Sequence, residues 1–147
     1  MPDQAELLLS PADVERQFYR ALSTGDINLL MACWSDDDEV ACVPPGGVMV
    51  RGLSAIRELF ADLFERGPVN LTAKDIHAVD SVMHAVHTLI EEIEVVADGQ
   101  KAMAQVFATN VFLKTPRGWR LQVHHASPGQ VISAAEPHVA GAERVLH

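Results

Sequence analysis

The fold is decided by residues 104–129, which read AQVFATNVFLKTPRGWRLQVHHASPG. Residues 106–113 are rich in β-branched and aromatic side chains, which favour a strand, and residues 119–126 form a second segment of this kind. Between them, Thr115-Pro116-Arg117-Gly118 is typical of a turn, and Pro128-Gly129 is expected to end the second strand. The pattern therefore predicts two long antiparallel strands joined by a tight connection.

The two faces of this hairpin follow from the length of its turn. A two- or four-residue loop centred on Pro116-Arg117 pairs Lys114 with Trp119, and alternation then assigns each side chain to a face. One face is mostly apolar and also carries Asn110 and His125. The pairs on the opposite face are Leu113 with Arg120, Val111 with Gln122, Thr109 with His124, and Phe107 with Ala126. A loop of odd length would slip one strand and exchange its faces.

Helices are expected before this sheet. Ser10 followed by Pro11 is a typical helix start, and Thr24-Gly25 ends that first helix. Asp26 can cap the second helix, and an apolar stripe at helical spacing predicts the third. The expected elements between the first helix and residue 100 cover residues 27–34, 39–43, 48–51, 55–65, 69–79 and 84–96.

A second hairpin is predicted by Asp98-Gly99, which favours a two-residue turn. The register that follows from this turn puts His87 and Glu91 on the same face of the sheet as Asn110 and His125. Four polar side chains are therefore expected on one otherwise apolar face.

This order of elements, helices first and then a long antiparallel meander, is an α+β design. We expect a strongly curved sheet wrapped around its N-terminal helices as a cone, whose open mouth is a natural small-molecule pocket. The predicted division is a flexible arm over residues 1–9, one domain over residues 10–129 and a C-terminal tail over residues 130–147.

Composition and charge narrow the classes of function. The 147 residues have a net charge of −9 without a cluster of Lys and Arg, which argues against a nucleic-acid surface. No apolar run approaches the roughly 20 residues needed to cross a membrane, and no signal peptide is visible. Cys33 and Cys42 are too few for a disulfide framework, so a reduced, cytoplasmic protein is expected.

Several segments, in matching order, resemble the SnoaL-like branch of the nuclear transport factor 2-like superfamily. They are FYRALSTGD from residue 18, the acidic turn at 36–38, CVPPGG from residue 42, the helix after Gly52, ATNVF from residue 108 and GWRLQVHHASP from residue 118. The resemblance covers about residues 10–129, and it implies a cystatin-like, curved antiparallel sheet around three helices, usually in a homodimer packed through the sheets. Because the superfamily includes isomerases, cyclases, dehydratases and non-catalytic modules, no single activity follows.

Ketosteroid isomerase, one member of that superfamily, uses an Asp base with a Tyr and a protonated Asp as oxyanion donors. Alignment with it places Phe18 at the Tyr, Val43 at the base and Asn110 at the protonated Asp. Phe18 and Val43 cannot transfer a proton, so the isomerase mechanism is not expected in its known form. Tyr19 is rotated by about 100° from Phe18 on a helix and is not expected to replace it.

The predicted interior contains a carboxylate, an amide and an imidazole. The candidate catalytic residues are Glu91, Asn110 and His125, because His and a buried Glu exchange protons near neutral pH and Asn can orient a carbonyl or hydroxyl group. The candidate ligand-binding residues around them are Phe18, Trp34, Cys42, Phe60, Phe64 and His87. A structural role stays open as the alternative, since buried polar side chains often only satisfy one another.

No metal and no cofactor are expected. His124 and His125 are neighbours on a strand and face opposite sides, and the other histidines match no ligand motif. The acidic connection at residues 35–38 is interpreted as a solvated loop rather than a metal site.

Two hypotheses of function follow. The first is a domain that binds a small hydrophobic molecule and catalyses an acid–base step: isomerisation, cyclisation, dehydration or hydration. The second is a non-catalytic ligand-binding or assembly module. In either case the convex face, which carries Phe107 and Val111, is too apolar for open solvent, so a homodimer through that face is expected, with His124 near the interface.

Overall fold

The structure, a computed structural model, describes residues 8–133. Its helices are α1 Pro11–Thr24, α2 Ile27–Met31 and α3 Leu53–Phe64, and its strands are β1 Ala41–Val43, β2 Val50–Arg51, β3 Leu71–Asp80, β4 His84–Ala97, β5 Gln100–Thr115 and β6 Gly118–Ser133. The strands form one sheet in the order β2-β1-β6-β5-β4-β3. The predicted α+β class is confirmed, although the sheet is mixed because β1 pairs with β6 in parallel.

The helix ends follow the signals in the sequence. The Ser10 side chain accepts a hydrogen bond from a backbone N–H of the first turn of α1, and Gly25 ends that helix in the left-handed region. Asp26 caps α2 in the same way as Ser10 caps α1. No helix within residues 8–133 has the length and apolar character needed to cross a membrane.

The core lies between the helices and the concave face of the sheet. Its largest fully buried apolar side chains come from every layer and include Phe18, Leu30, Ile56, Phe112 and Leu121. Burial of side chains of this size stabilises the fold by about 1.5–3 kcal/mol each. The helices therefore occupy the inside of the curved sheet, as predicted.

The Asp98-Gly99 turn has the predicted register. Asp98 and Gly99 have φ angles of 56° and 77°, as a type I′ hairpin requires. His87 pairs with Asn110 across β4 and β5, which places the inward side chains of β4 as expected.

The β5–β6 hairpin departs from the predicted register after four residues of β6. Phe112 pairs with Leu121 as predicted, but Val111 pairs with Val123 rather than with Gln122. Gln122 is therefore an extra residue, a β-bulge, and the faces of β6 are exchanged beyond it.

This bulge reverses the predicted placement of the two neighbouring histidines. Asn110 pairs with His124, and Thr109 pairs with His125. His124 is buried and His125 is exposed. The expectation that His125 lies inside the cone with Asn110, and His124 outside, is therefore wrong.

The predicted end of β6 at Pro128-Gly129 is also wrong. The strand continues to Ser133 through a second irregularity, where β6 has one more residue than the facing part of β5. A Cβ atom at Gly129 would lie 2.6 Å from the backbone oxygen of Gln105, so the two strands approach closely only because this residue is glycine.

The predicted terminal segments are described only in part. The backbone oxygen of Leu8 accepts a hydrogen bond from the N–H of Trp119 at 2.8 Å, and Leu8 is buried, so this residue is not part of a loose arm. Residues 130–133 of the predicted tail belong to β6. The remaining predictions, for residues 1–7 and 134–147, lie outside the described residues.

The close approach at Gly129 generates a stability prediction. Replacement by Ala should destabilise the fold by about 1–3 kcal/mol, because the added methyl group meets backbone rather than a flexible side chain. Urea unfolding measures this loss. Ser127→Ala, an exposed change on the same strand, is the matched control, and equal stability of the two variants would contradict the close contact.

Candidate functional site

A continuous set of buried polar side chains crosses the interior of the cone. It is supplied by one helix and three adjacent strands. Its buried members are Glu15 and Tyr19 from α1, His87 and Glu91 from β4, Asn110 from β5 and His124 from β6. We call these six residues the interior polar cluster.

The Asn110 amide lies at the centre of the cluster. Its Nδ2 donates to Glu15 Oε2 at 3.0 Å and to the Tyr19 hydroxyl oxygen at 3.1 Å. Its Oδ1 lies 2.6 Å from His124 Nδ1. One side chain therefore connects α1, β5 and β6.

Glu91 lies between a phenol and an imidazole. The Tyr19 hydroxyl donates to Glu91 Oε2 at 2.7 Å. His124 Nε2 lies 3.8 Å from the same oxygen, which is an ion-pair distance but longer than a hydrogen bond. The carboxyl and the imidazole thus face each other without being bonded.

The other end of the cluster reaches the surface. His87 Nδ1 lies 2.9 Å from Glu15 Oε1, and His87 Nε2 lies 3.1 Å from Asp80 Oδ1. The Asp80 side chain is 52% exposed, whereas those of Glu15 and His87 are buried. His87, a predicted ligand-binding residue, is therefore held between two carboxyl groups.

Burial changes the protonation of the central pair. It raises the pKa of Glu91 to about 7, against the effect of the Tyr19 hydrogen bond and assisted by the negative charge of Glu15. Burial also lowers the pKa of His124 to about 4, with a further contribution from His125. At neutral pH the imidazole is neutral and the carboxyl group is about half protonated, so an acid faces a base.

Most of the predicted ligand-binding residues pack around this pair. Phe18 lies with its ring centroid 4.9 Å from that of His124 and contacts Trp34 and Phe60, while the half-buried Phe64 packs on Phe60. Cys42 is buried. Its burial is the main cause that raises the pKa of its thiol to about 12, and the negative charge of Glu91 adds to this effect. Cys42 is therefore a thiol and a weak nucleophile.

Burial of the inward side chains of β4 changes at Glu91. The inward positions of β4 that precede it, His87 and Leu89, are buried, whereas those that follow it, Ile93 and Val95, are half-buried. The inward face of β4 is therefore more accessible beyond Glu91, toward the β4–β5 turn.

A separate concavity lies on the outer face of the sheet, with a volume of about 620 Å³. It is lined by Asp75, His77, Thr88, Leu89, Ile90, Phe107, Ala108, Thr109, Val123, His125 and Ser127. His125, predicted to be catalytic, belongs to this outer groove. The structure thus brings Glu91 and Asn110 together as predicted but replaces His125 by His124.

Besides His124, two members of the cluster were not candidates from the sequence. Glu15 and Tyr19 are four residues apart on α1, so their side chains lie on one face of the helix. That spacing, beside the apolar stripe that includes Val14 and Phe18, is a signal that could have indicated them. Both are buried and bonded to Asn110.

The acidic loop contributes nothing to this cluster. Asp36 is exposed and pairs with Arg117, and Asp37 accepts from the Ser35 hydroxyl. Within residues 8–133, no three side chains of His, Cys, Asp or Glu are arranged as a metal site.

Comparison with known proteins identifies relatives of this chain. The model of the SnoaL-like domain family matches residues 12–131 of this chain. A protein from Thiobacillus denitrificans, provisionally assigned as a calcium/calmodulin-dependent protein kinase type II association domain, is 29% identical with a TM-score of 0.76, over 85% of this chain and 99% of that chain. No protein with a curated description matches.

Two further solved structures are similar. An NTF2-like family protein from Streptomyces avermitilis, provisionally assigned as a dehydratase, is 28% identical with a TM-score of 0.70, over 79% of this chain and 91% of that chain. A protein from Nostoc punctiforme with a cystatin-like fold is 14% identical with a TM-score of 0.66, over 82% of this chain and 94% of that chain. The last similarity concerns the fold alone.

The raised pKa of Glu91 generates a prediction about stability and pH. The native state binds this proton more tightly than the unfolded chain, so the wild type loses stability as pH rises from about 4.5 to about 7. Glu91→Gln removes this loss and should be more stable than the wild type by about 3 kcal/mol near pH 8, with no difference near pH 4. Urea unfolding across pH measures the difference.

His124→Gln is the matched variant, because its effect has the opposite sign. The lowered pKa of His124 costs the wild type stability as pH falls from 6.5 to about 4, so this variant should gain relative stability at acid pH. A stability difference for Glu91→Gln that does not change with pH would show that Glu91 titrates normally.

Proposed function

This chain belongs to the SnoaL-like domain family. We propose that it is an acid–base enzyme that removes water from a small hydrophobic hydroxylated molecule. The observation that carries the proposal is the placement of His124 Nε2 3.8 Å from Glu91 Oε2 in a buried interior. Tyr19 and Asn110 orient the two groups. This arrangement supports proton transfer to and from one side of a bound molecule.

The step balances within this pair. His124 Nε2 takes the proton from a carbon next to the hydroxyl-bearing carbon, and the electrons of that C–H bond form the double bond. Glu91 gives its proton to the hydroxyl group, which leaves as water. The proton on His124 then returns to Glu91 across the short gap between them, so the resting state is restored without another reactant.

The resting protonation is the state from which dehydration starts. Burial keeps His124 neutral and leaves Glu91 protonated up to about pH 7, which is the state that dehydration needs. Addition of water, the reverse reaction, starts from the charged imidazole and the carboxylate that dehydration leaves behind.

The surroundings indicate the class of substrate. The pair is bordered by aromatic rings, of which Phe18 contacts His124, and Ile93, the next inward residue of β4 after Glu91, is a half-buried apolar side chain. A hydrophobic molecule with a hydroxyl group beside an acidic C–H bond suits this environment. The assignment of the Streptomyces avermitilis relative as a dehydratase supports the same class.

An assembly module is the second candidate, and a specific observation favours it. The outer face exposes Val79, Val86 and Phe107, of which Phe107 is 47% exposed, beside the outer groove. The Thiobacillus denitrificans relative is assigned as an association domain. We propose a homodimer through this face, with His125 rather than His124 near the interface.

The proposed setting is the cytoplasm, where thiols such as Cys42 stay reduced.

A substitution at each of the two neighbouring histidines tests the enzymatic proposal. With a panel of hydrophobic β-hydroxycarbonyl compounds, His124→Gln should lower kcat/KM by about 10²- to 10⁴-fold, because it removes the base. His125→Gln, one residue away on the outer face, should leave kcat/KM within about two-fold. Formation of the conjugated product is followed by absorbance.

The pH profile provides an independent check of the same mechanism. The kcat/KM of the wild type should fall above about pH 7, where Glu91 loses its proton, and below about pH 4, where His124 gains one. Binding of these compounds without any turnover would instead support the non-catalytic module.

The proposed dimer is tested by Val111→Lys. Two lysines would meet across a two-fold interface, so the variant should be monomeric at micromolar concentration while the wild type is dimeric. Sedimentation measures both. Ala61→Lys introduces the same charge at an exposed position of α3. It is the control and should stay dimeric. A monomeric wild type, or a dimeric Val111→Lys protein, would contradict the interface.

A further inference from the structure

We propose that Glu15, held by His87, which Asp80 holds in turn, is a positioning residue that fixes the tautomer of His124 through the side-chain amide of Asn110. The kinetic consequence of this role rests on the proposed function. The tautomer itself is a property of the resting protein and can be measured without a substrate.

The Asn110 amide has two possible orientations, and its partners do not constrain them equally. The Tyr19 hydroxyl can donate or accept, and so can His124 Nδ1, depending on its tautomer. Either group would therefore tolerate a flipped amide. Glu15 Oε2, 3.0 Å from Asn110 Nδ2, is the partner that decides.

Glu15 Oε2 is an acceptor whenever Glu15 is ionised or carries its proton on Oε1, the oxygen that faces His87. If His87 is protonated on both nitrogens, it donates to Glu15 and to Asp80, and both oxygens of Glu15 accept. If the proton lies on Glu15 Oε1, it is donated to His87 Nδ1, and Oε2 still accepts. A flipped amide would place two acceptors 3.0 Å apart in a buried site, which costs the full desolvation of both groups.

The orientation of the amide then determines the state of His124. Both hydrogens of Asn110 Nδ2 are used, by Glu15 and by Tyr19, so Oδ1 faces His124 Nδ1 at 2.6 Å and must accept from it. His124 therefore carries its proton on Nδ1, and the lone pair of Nε2 faces Glu91.

This tautomer is the one that the proposed reaction needs. A flipped amide would donate to Nδ1 and move the imidazole proton to Nε2, where it would face Glu91 and could not take another proton from the substrate. Glu15 does not contact the reacting atoms, but its charge also raises the pKa of Glu91. The kinetic comparison is therefore made at a pH where Glu91 is protonated in both proteins. The effect that remains passes through Asn110 and should change kcat rather than KM.

The tautomer can be read directly from the ring nitrogens. In the ¹H–¹⁵N spectrum of the histidine-labelled wild-type protein near neutral pH, His124 should show a protonated-type shift at Nδ1 and an unprotonated-type shift at Nε2. Glu15→Gln should shift the population toward the opposite tautomer, because Gln can either donate or accept. It should also lower kcat by the same factor as the remaining Nδ1–H population, about ten-fold if nine-tenths of that population is lost, with KM unchanged.

Two variants separate positioning from general damage to the core. Glu15→Asp keeps an acceptor and should retain the Nδ1–H tautomer, and Tyr19→Phe should retain it as well, because Tyr19 tolerates either orientation of the amide. The exposed His125 is the internal control and should not change in any variant.

Measurements on the wild type and on its variants can each contradict this role of Glu15. An Nε2–H tautomer in the wild type overturns it, and this measurement needs no variant to fold. An unchanged His124 signal in Glu15→Gln, or a switch in Tyr19→Phe, overturns the role of Glu15. If the expected tautomer is found but no substrate turns over, the positioning role stands and the proposed enzymatic function fails.

Discussion

The Asn110 amide uses all of its hydrogen-bonding atoms in a region closed to water, and the placement of three elements depends on these bonds. Its partners lie on α1 and β6, while the amide itself lies on β5. A buried polar group left without a partner costs about 1–3 kcal/mol, so a shift of α1 along the sheet would be penalised at several atoms together. The helix position and the site geometry are therefore determined by the same contacts.

The same burial produces the electrostatics of the site. Removal from water disfavours charge on both Glu91 and His124, which raises one pKa and lowers the other. In water both groups would be charged between about pH 4.5 and 6.5, whereas here they remain an acid and a base over that range. Their effects on stability oppose each other between about pH 4.5 and 6.5, so the cost of burying the pair changes little with pH over that range.

Much of the fold was predictable because its determinants are local. Ser10, Asp26 and Asp98-Gly99 act within a few residues, and they gave correct helix starts and a correct β4–β5 register. The bulge at Gln122 was not predictable, because nothing in the strand pattern marks an extra residue whose position depends on the neighbouring strand. The error exchanged His124 and His125. Glu15 and Tyr19 were missed because apolar periodicity identifies the buried face of a helix but not the polar residues at its edge.

One residue of β6 therefore decides which of two neighbouring histidines lies in the cone and which lies on the outer face. His124 belongs to the interior polar cluster and His125 to the outer groove, so acid–base chemistry and subunit association would use different surfaces of the same sheet. Neither use constrains the other, because alternation along a strand separates them. This separation is a physical reason why one fold can serve both enzymes and association domains, and why activity has to be argued from the interior side chains.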